Sequence, residues 1–152
     1  MIAANDKQVS LLLESVQEGK LRFSRMIAYD IAVLTASYCA VGSDYYHAPL
    51  LIQKLDLLTK FLASAQSADG TVNVGNLESP PDTAFVIEIL CPAAEILKKE
   101  KAKDVDAINQ QLKEIILKAG EGLVVGGVHT PNHRWVISAA LSGINALYPN
   151  KK

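Results

Sequence analysis

This chain has few cysteines, no excess of charge of one sign and no long apolar run, and each of these features excludes a class of protein. Its two cysteines, Cys39 and Cys91, stand far apart in apolar segments. The spacing of a zinc site and the density of a disulfide scaffold are both missing, so buried thiols are expected. Fifteen basic and 16 acidic residues leave a net charge of −1, which argues against nucleic acid or an anionic membrane as the partner.

Membrane-spanning and nucleotide-binding motifs are missing as well. No stretch approaches the roughly 18 apolar residues of a membrane span, and the first residues lack the basic and apolar regions of a signal peptide. A P-loop, a dinucleotide fingerprint and a G-x-S-x-G nucleophile elbow do not occur. We therefore expect no membrane partner and no nucleotide chemistry, and the chain does not reveal its compartment.

What the sequence does contain is apolar residues, 49% of 152, which is enough for one domain with a substantial core. Their periodicity predicts helices over residues 6–19, 26–41, 49–66, 81–99, 104–120 and 131–147. The first, third and fifth carry one apolar stripe, which is typical of outer helices. The second, fourth and sixth are apolar on nearly all sides, which is typical of buried helices. Pro92 is expected to kink the fourth.

This alternation repeats along the chain. The residues predicted to cap the inner helices, Ser24, Ser79 and Thr130, are 55 and 51 residues apart, which indicates a repeat of helical hairpins. We predict an all-α fold in which residues 1–152 form a single domain of antiparallel hairpins, a partial (α/α) toroid of about six helices. Stacked hairpins place their inner helices parallel, so the N-terminal ends of those helices gather on one face.

Polar residues from distant parts of the sequence are expected on that face. They are Arg22, Arg25, Asn73, Asn76, Glu78, Asp82, His129, Asn132, His133 and Arg134. Each also has an ordinary structural interpretation, since an acid in the position of Asp82 usually completes a helix cap. Trp135 is more typical of a core than of a sugar-binding platform. The convergence favours a functional site formed by the whole group of residues. It does not single out any one of them.

The sixth helix has the clearest start. Thr130 is a good N-cap residue, and Pro131 fits the first helical position, where a missing N–H costs nothing. The free backbone donors and the positive dipole end favour an anion there and disfavour a protonated imidazole. A neutral His133 beside Asn132 and Arg134 suits removal of a proton next to a carboxylate, which is β-elimination chemistry. The alternative is that His133 only completes the helix cap.

His129 and His133 are four residues apart, as in some metal sites. However, Pro131 lies between them, His129 precedes the helix, and no third ligand is close in sequence. We therefore expect no metal and no cofactor. A tyrosine is expected to protonate the leaving group, and the sequence does not choose among Tyr29, Tyr45 and Tyr46.

The hairpin repeat and the motif Asn132-His133-Arg134-Trp135 resemble the N-terminal portion of bacterial polysaccharide lyases with an (α/α) toroid. In alginate lyases of that class, an Asn-His pair followed closely by Trp opens an inner helix. The resemblance implies that Asn132 holds a uronate carboxylate and that His133 is the catalytic base. Trp135 follows His133 after one residue, where the family has two. The other residues that would bind the acidic polysaccharide are Asn76, Glu78, Asp82, His129, Arg134 and Trp135.

The resemblance has consequences for the whole chain. A toroid of this class contains about twice as many hairpins, so a fragment of a larger enzyme is implied. An isolated array of three hairpins exposes apolar inner surface, which would be covered by self-association or by a missing C-terminal segment. An exported protein, periplasmic or secreted, is also implied.

Two other functions are compatible with the same pattern. A glycoside hydrolase on this scaffold would use a pair of carboxylates, with Glu78 or Asp82 as the acid. A non-catalytic helical-repeat module would instead bind a peptide or protein on its concave face. Fold alone does not decide between these functions.

Overall fold

A computed structural model describes residues 1–15, 24–73 and 79–149 of the chain. These residues form six α-helices and one 3₁₀ turn, Lys103–Val105, and contain no strand. The helices are α1 (Ile2–Ser15), α2 (Ser24–Cys39), α3 (Pro49–Ser64), α4 (Pro80–Leu97), α5 (Asp106–Leu123) and α6 (Pro131–Leu147). The predicted all-α fold is confirmed, and each predicted helix has a counterpart.

The helices pack in two layers. One layer contains α2, α4 and α6, with α4 in the middle and packed against both of the others. The second layer contains α1, α3 and α5: α1 and α3 pack on α2, α3 also contacts α5, and α5 packs on α4 and α6. Because α4 has neighbours on three sides, its apolar residues are buried nearly all round, and Ile87 and Leu90 have no exposed surface. Helix α5 buries one stripe, formed by Ile108, Leu112 and Ile116.

The first helix starts earlier than its sequence indicates. We predicted a start at Asp6 from the apolar periodicity that follows it, but α1 already begins at Ile2. Asp6 is instead a buried residue within the helix. Its carboxylate accepts hydrogen bonds from the hydroxyls of Ser37 and Ser43, at 2.6 and 2.7 Å, and from the backbone N–H of Asp44, at 3.0 Å. The partners come from α2 and the turn that follows it, so no local pattern reveals them.

The ends of α5 also differ from prediction. Asp104 does not cap this helix, which follows the 3₁₀ turn and has Val105 as its N-cap residue. The carboxylate of Asp104 accepts a hydrogen bond from the hydroxyl of Tyr38, 3.3 Å from each of its oxygens. Gly120 does not end the helix, which continues to Leu123. A Cβ on Gly120 would lie 3.3 Å from the side chain of Ile144, so this glycine allows α5 and α6 to approach closely.

Helix α6 is not buried on all sides, contrary to our prediction. Val136, Ile137 and Ala140 face the core, whereas Trp135 is 78% exposed. The opposite side of α6 also exposes Ser138, Ala139, Ser142, Asn145 and Ala146. The physical reason is its position at the end of the layer, where α4 and α5 cover only part of its circumference. The residues on this exposed side are mostly small, and for that reason the sequence predicted that this side is buried.

Candidate functional site

The starts of α2 and α4 are neighbours in the structure. The hydroxyl of Ser24, the first residue of α2, donates a hydrogen bond to the backbone carbonyl of Asn73, in the segment that precedes α4. One residue further on, the guanidinium of Arg25 lies 4.2 Å from the centroid of the Phe85 ring on α4. This cation–π contact holds the first turn of α2 against the first two turns of α4.

The start of α6 lies beside the start of α4 as well. A Cβ on Gly127 would lie 3.0 Å from ring atoms of both Pro80 and Pro81, so the loop before α6 rests on the proline pair that opens α4. Gly127 has a φ of +85°, a conformation that glycine adopts without strain. At the other end, Lys98 after α4 donates to the carbonyl of Leu147 on α6. These contacts show that α4 and α6 are parallel, with their N-terminal ends at the same end of the molecule.

The first turn of α6 is closed by His133. Thr130 occupies the N-cap position with extended backbone angles, but its side chain makes no capping hydrogen bond. The backbone N–H of His129 instead donates to Nδ1 of His133 at 3.4 Å, and the two imidazole rings meet edge to face at 6.2 Å. His133 thus accepts a hydrogen bond from the residue before the N-cap, in keeping with the cap interpretation that the sequence left open. In a neutral imidazole its Nε2 then carries the hydrogen and is a donor.

The other predicted residues of this turn face solvent. Asn132, Arg134 and Trp135 are exposed, and His133 is half-buried. Residues three apart on a helix share a side, so Asn132 and Trp135 lie together while His133 lies on another side. The prediction that Trp135 belongs to the core is wrong, because α6 has no helix packed on that side among the described residues. The turn presents an amide, a guanidinium and an indole to solvent at a helix N-terminus.

Asp82 does not join this group. The hydroxyl of Ser79 donates to its carboxylate, and the backbone N–H of Asp82 donates to the hydroxyl of Ser79 at 3.3 Å. The two residues thus form a helix cap at the start of α4, the ordinary interpretation of an acid at this position. Of the other residues predicted for the face, Asn73 lies beside Ser24. Arg22, Asn76 and Glu78 lie outside the described residues.

The three candidate tyrosines fall at opposite ends of the molecule. Tyr29 is exposed in the second turn of α2, at the end where the inner helices start. Tyr45 and Tyr46 follow the other end of α2, and the ring of Tyr46 stacks on His47 at 4.1 Å. Only Tyr29 is therefore at the same end as His133.

A groove about 580 Å³ in volume runs between α4 and α6. It is lined by Glu88, Cys91, Pro92, Glu95, Lys98 and Lys99 from α4 and the residues after it, and by Ala139, Ala140, Gly143, Ala146 and Leu147 from α6. Cys91 is buried and free, as expected, and packs against Gly143, where a Cβ would lie 3.3 Å from Sγ. Pro92 lies within α4, which continues to Leu97. The groove begins one helical turn beyond Trp135.

The sequence did not reveal a second polar cluster at the far end of α2. His47 Nε2 lies 3.0 Å from a carboxylate oxygen of Glu100, and its ring stacks between Tyr38, at 5.0 Å, and Tyr46. His47 has a φ of +52°, a left-handed conformation that is unusual for a residue with a side chain. Together with the bond between Tyr38 and Asp104, this pair connects the turn after α2 to the segment between α4 and α5.

Two acidic groups at this end of α2, Tyr38 of the cluster and the neighbouring Cys39, have raised pKa values. Burial, followed by the charge of Asp104, raises the pKa of Tyr38 to about 12. Burial, followed by the charge of Glu100, raises the pKa of the Cys39 thiol to about 12. Both groups are therefore held in their neutral forms, whereas a nucleophilic cysteine needs a lowered pKa. A sequence signal for the cluster is missing because its two halves, residues 38–47 and residues 100–104, lie more than 50 residues apart in the sequence.

Within the described ranges, no three His, Cys, Asp or Glu side chains are grouped so that they could hold a metal ion. Helices long and apolar enough to cross a membrane are absent from the same part of the chain. Comparisons with protein families, curated proteins and solved structures find no significant match to the chain.

Proposed function

We propose that the start of α6 binds a uronate residue of an acidic polysaccharide and that His133 promotes its cleavage by β-elimination. The observation that carries this proposal is the position of Trp135, which is 78% exposed on the same side of α6 as Asn132. An indole held in solvent beside an amide is suited to stacking on a sugar ring while the amide holds its polar groups. The exposed Arg134 supplies positive charge at the same helix N-terminus.

In the proposed reaction, Asn132 holds the uronate carboxylate and Arg134 supplies positive charge nearby, while negative charge grows on the carboxylate as the neighbouring carbon loses its proton. Nδ1 of His133 takes that proton and gives up its 3.4 Å contact with the backbone N–H of His129, because a neutral imidazole that accepts at Nδ1 carries its hydrogen on Nε2. A carbon–carbon double bond forms, the bond to the glycosidic oxygen breaks, and that oxygen takes a proton. Tyr29 lies at this end of the molecule but on α2, across α4 from α6, so solvent supplies this last proton.

The reaction is tested by the ultraviolet absorbance of the conjugated double bond, followed while the protein is incubated with a panel of polyuronates and mixed uronate polysaccharides. His133→Ala should lower the rate by about a hundredfold to ten-thousandfold, as expected for the loss of a general base. The matched control is Ser138→Ala, an exposed position on the same helix. Equal rates for the two variants would contradict a catalytic role for His133.

Binding can be followed separately from catalysis. Trp135 is the only tryptophan in the chain, so its fluorescence emission reports on this site alone. Oligouronates should shift the emission towards shorter wavelengths as a sugar ring covers the indole, and Asn132→Ala should weaken that binding. If no acidic saccharide changes the emission, the proposed function is wrong.

A second candidate function is a module that binds another protein. It is favoured by three large apolar side chains in the segment before α6, Val124, Val125 and Val128, which are 68%, 77% and 42% exposed. Exposed apolar groups of this kind are typical of protein interfaces. This candidate predicts that Val125→Asp abolishes association with a protein partner and that saccharides leave the Trp135 emission unchanged. The hydrolase alternative named Glu78 or Asp82 as the acid; Asp82 is part of a helix cap, and Glu78 lies outside the described residues.

A further inference from the structure

Helix α6 ends its layer, and one side of it has no helix packed against it among the described residues. This free side of α6 consists of residues at intervals of four, three and four, namely Arg134, Ser138, Leu141 and Asn145. Leu141 is half-buried and the other three are exposed. Successive residues of a helix point about 100° apart, so Trp135 lies beside the free side and not on it.

One unpaired charge of each sign borders the free side. Arg134, in the first turn of α6, and Glu121, near the end of α5, are exposed, and neither forms an ion pair with a described residue. Glu121 lines the groove between α5 and α6 together with Asn145. Its neighbour Gly120 faces Ile144, whose side chain would lie 3.3 Å from a Cβ there. The base therefore lies near the start of α6, and the acid lies beside its second half.

Exposed apolar side chains border both ends of the free side. Val125 and Val128 are exposed in the segment before α6. Leu117 is exposed on α5 and lines the same groove as Leu147, near the end of α6. Covering such side chains with a partner removes apolar surface from water, which favours association.

An antiparallel pairing of two α6 helices matches these features to one another. With a two-fold axis beside Ser138, Arg134 lies about 6 Å before the axis and the level of Glu121 about 8 Å after it. The axis therefore places Arg134 of one copy beside Glu121 of the other. It also brings the valines that precede α6 in one copy towards Leu117 in the other. The small side chain of Ser138 allows the two helices to approach closely where they cross.

We propose that two copies of the chain associate through the free sides of α6, antiparallel about a two-fold axis beside Ser138, with Arg134 of each copy paired with Glu121 of the other. Each contact then occurs twice by symmetry. A parallel pairing would instead place the two arginines and the positive ends of both helices together. The inference does not depend on the proposed function, because Asn132 and Trp135 lie outside the free side.

The size of the surface sets the strength of the association. Helix α6 is about 25 Å long and the two helix layers are about 10 Å apart, so each copy presents a face of about 500 Å². The two faces together bury about 1,000 Å², which is at the lower end of specific interfaces. We therefore expect a dissociation constant in the micromolar range, with the monomer, whose α6 is uncovered, predominant below that concentration.

The pairing is tested by sedimentation equilibrium at protein concentrations from about one micromolar to about one millimolar. Arg134→Glu and Glu121→Arg should each weaken the dimer at least tenfold, because each creates two contacts between like charges. The double variant Arg134→Glu with Glu121→Arg restores opposite charges and should recover the affinity of the unmodified chain. The control Lys7→Glu, exposed on α1, should have no effect.

The double variant also excludes misfolding as the cause of a weaker dimer, because a folding defect would not be repaired by a second charge reversal. A monomer at every concentration would overturn the inference. A dimer that neither single variant weakens, or that the double variant does not restore, would overturn it as well.

Cross-linking tests the position of the two-fold axis. Ser138→Cys places two thiols opposite each other across the axis, within the Cα separation of about 4.4–6.8 Å that a disulfide needs. Under mild oxidation this variant should form a disulfide-linked dimer, whereas Lys7→Cys, which carries the same native cysteines, should not. Equal cross-linking of the two variants would contradict an axis beside Ser138.

Discussion

Asp6 illustrates how one buried carboxylate connects several elements. It receives hydrogen bonds from Ser37 on α2 and from Ser43 and Asp44 in the following turn. The hydroxyls of Ser37 and Ser43 lower the pKa of Asp6, with a further contribution from the backbone N–H of Asp44, whereas burial acts in the opposite direction. These bonds stabilise the ionised form more than the protonated one.

The lowered pKa predicts an acid-dependent contribution to stability. Because the pKa of Asp6 is lower in the folded than in the unfolded chain, its contribution is complete above the unfolded value, about 3.9. It is lost as the pH falls through the folded value. Asp6→Asn should therefore lower the free energy of unfolding at neutral pH and have a smaller effect in acid. Urea denaturation across this pH range provides the measurement, with Glu14→Gln, exposed on α1, as control. An equal effect of Asp6→Asn at all pH values would contradict this account.

At the scale of elements, Gly70 determines how the loop after α3 packs on α5. Gly70 has a φ of +93°, and a Cβ there would lie 2.1 Å from the carbonyl oxygen of Lys118. Gly126 also has a positive φ, +131°, but no atom lies within 4 Å of its Cβ position. The two glycines therefore separate the cost of backbone strain from the cost of a steric clash.

Alanine substitution of both glycines tests this difference. Gly126→Ala should destabilise the protein only through backbone strain, by about 1–3 kcal/mol. Gly70→Ala adds the clash with α5 and should cost more than about 3 kcal/mol. Chemical denaturation of the two variants compares these free energies directly. Similar losses of stability would show that the loop can move away from α5 without cost.

The element boundaries show what local sequence determines. The predicted starts at Pro49 and Pro131 agree with the structure, and α4 begins at Pro80, one residue before its predicted start, because proline acts on its own helix turn. Asp104 was misassigned because its partner, Tyr38, is 66 residues away. An aspartate that caps a helix and an aspartate that accepts a hydrogen bond from a distant helix have the same local sequence pattern.

At the scale of the whole molecule, the repeat predicted which helix starts are neighbours but not how their side chains are used. Asp82 is held in its own cap, and Trp135 is exposed because α6 ends its layer. The period of the hairpins is enough to predict which helix starts are neighbours. How a side chain is used depends instead on which helices have neighbours on every side. An apolar or small residue gives the same sequence pattern whether it lies in the core or on an exposed side.

The layer arrangement predicts an order of local stability. Helix α4 packs against α2, α5 and α6, whereas α1 packs mainly on α2 and α6 is covered on only part of its circumference. Opening α4 must expose the fully buried Ile87 and Leu90 together with their partners on three helices, so its amides should exchange only when the whole fold opens. Native-state hydrogen exchange should therefore be slowest in α4 and faster in α1 and α6. Protection of α6 equal to that of α4 would show that its exposed side is covered in solution, as expected of a protein that self-associates through this helix.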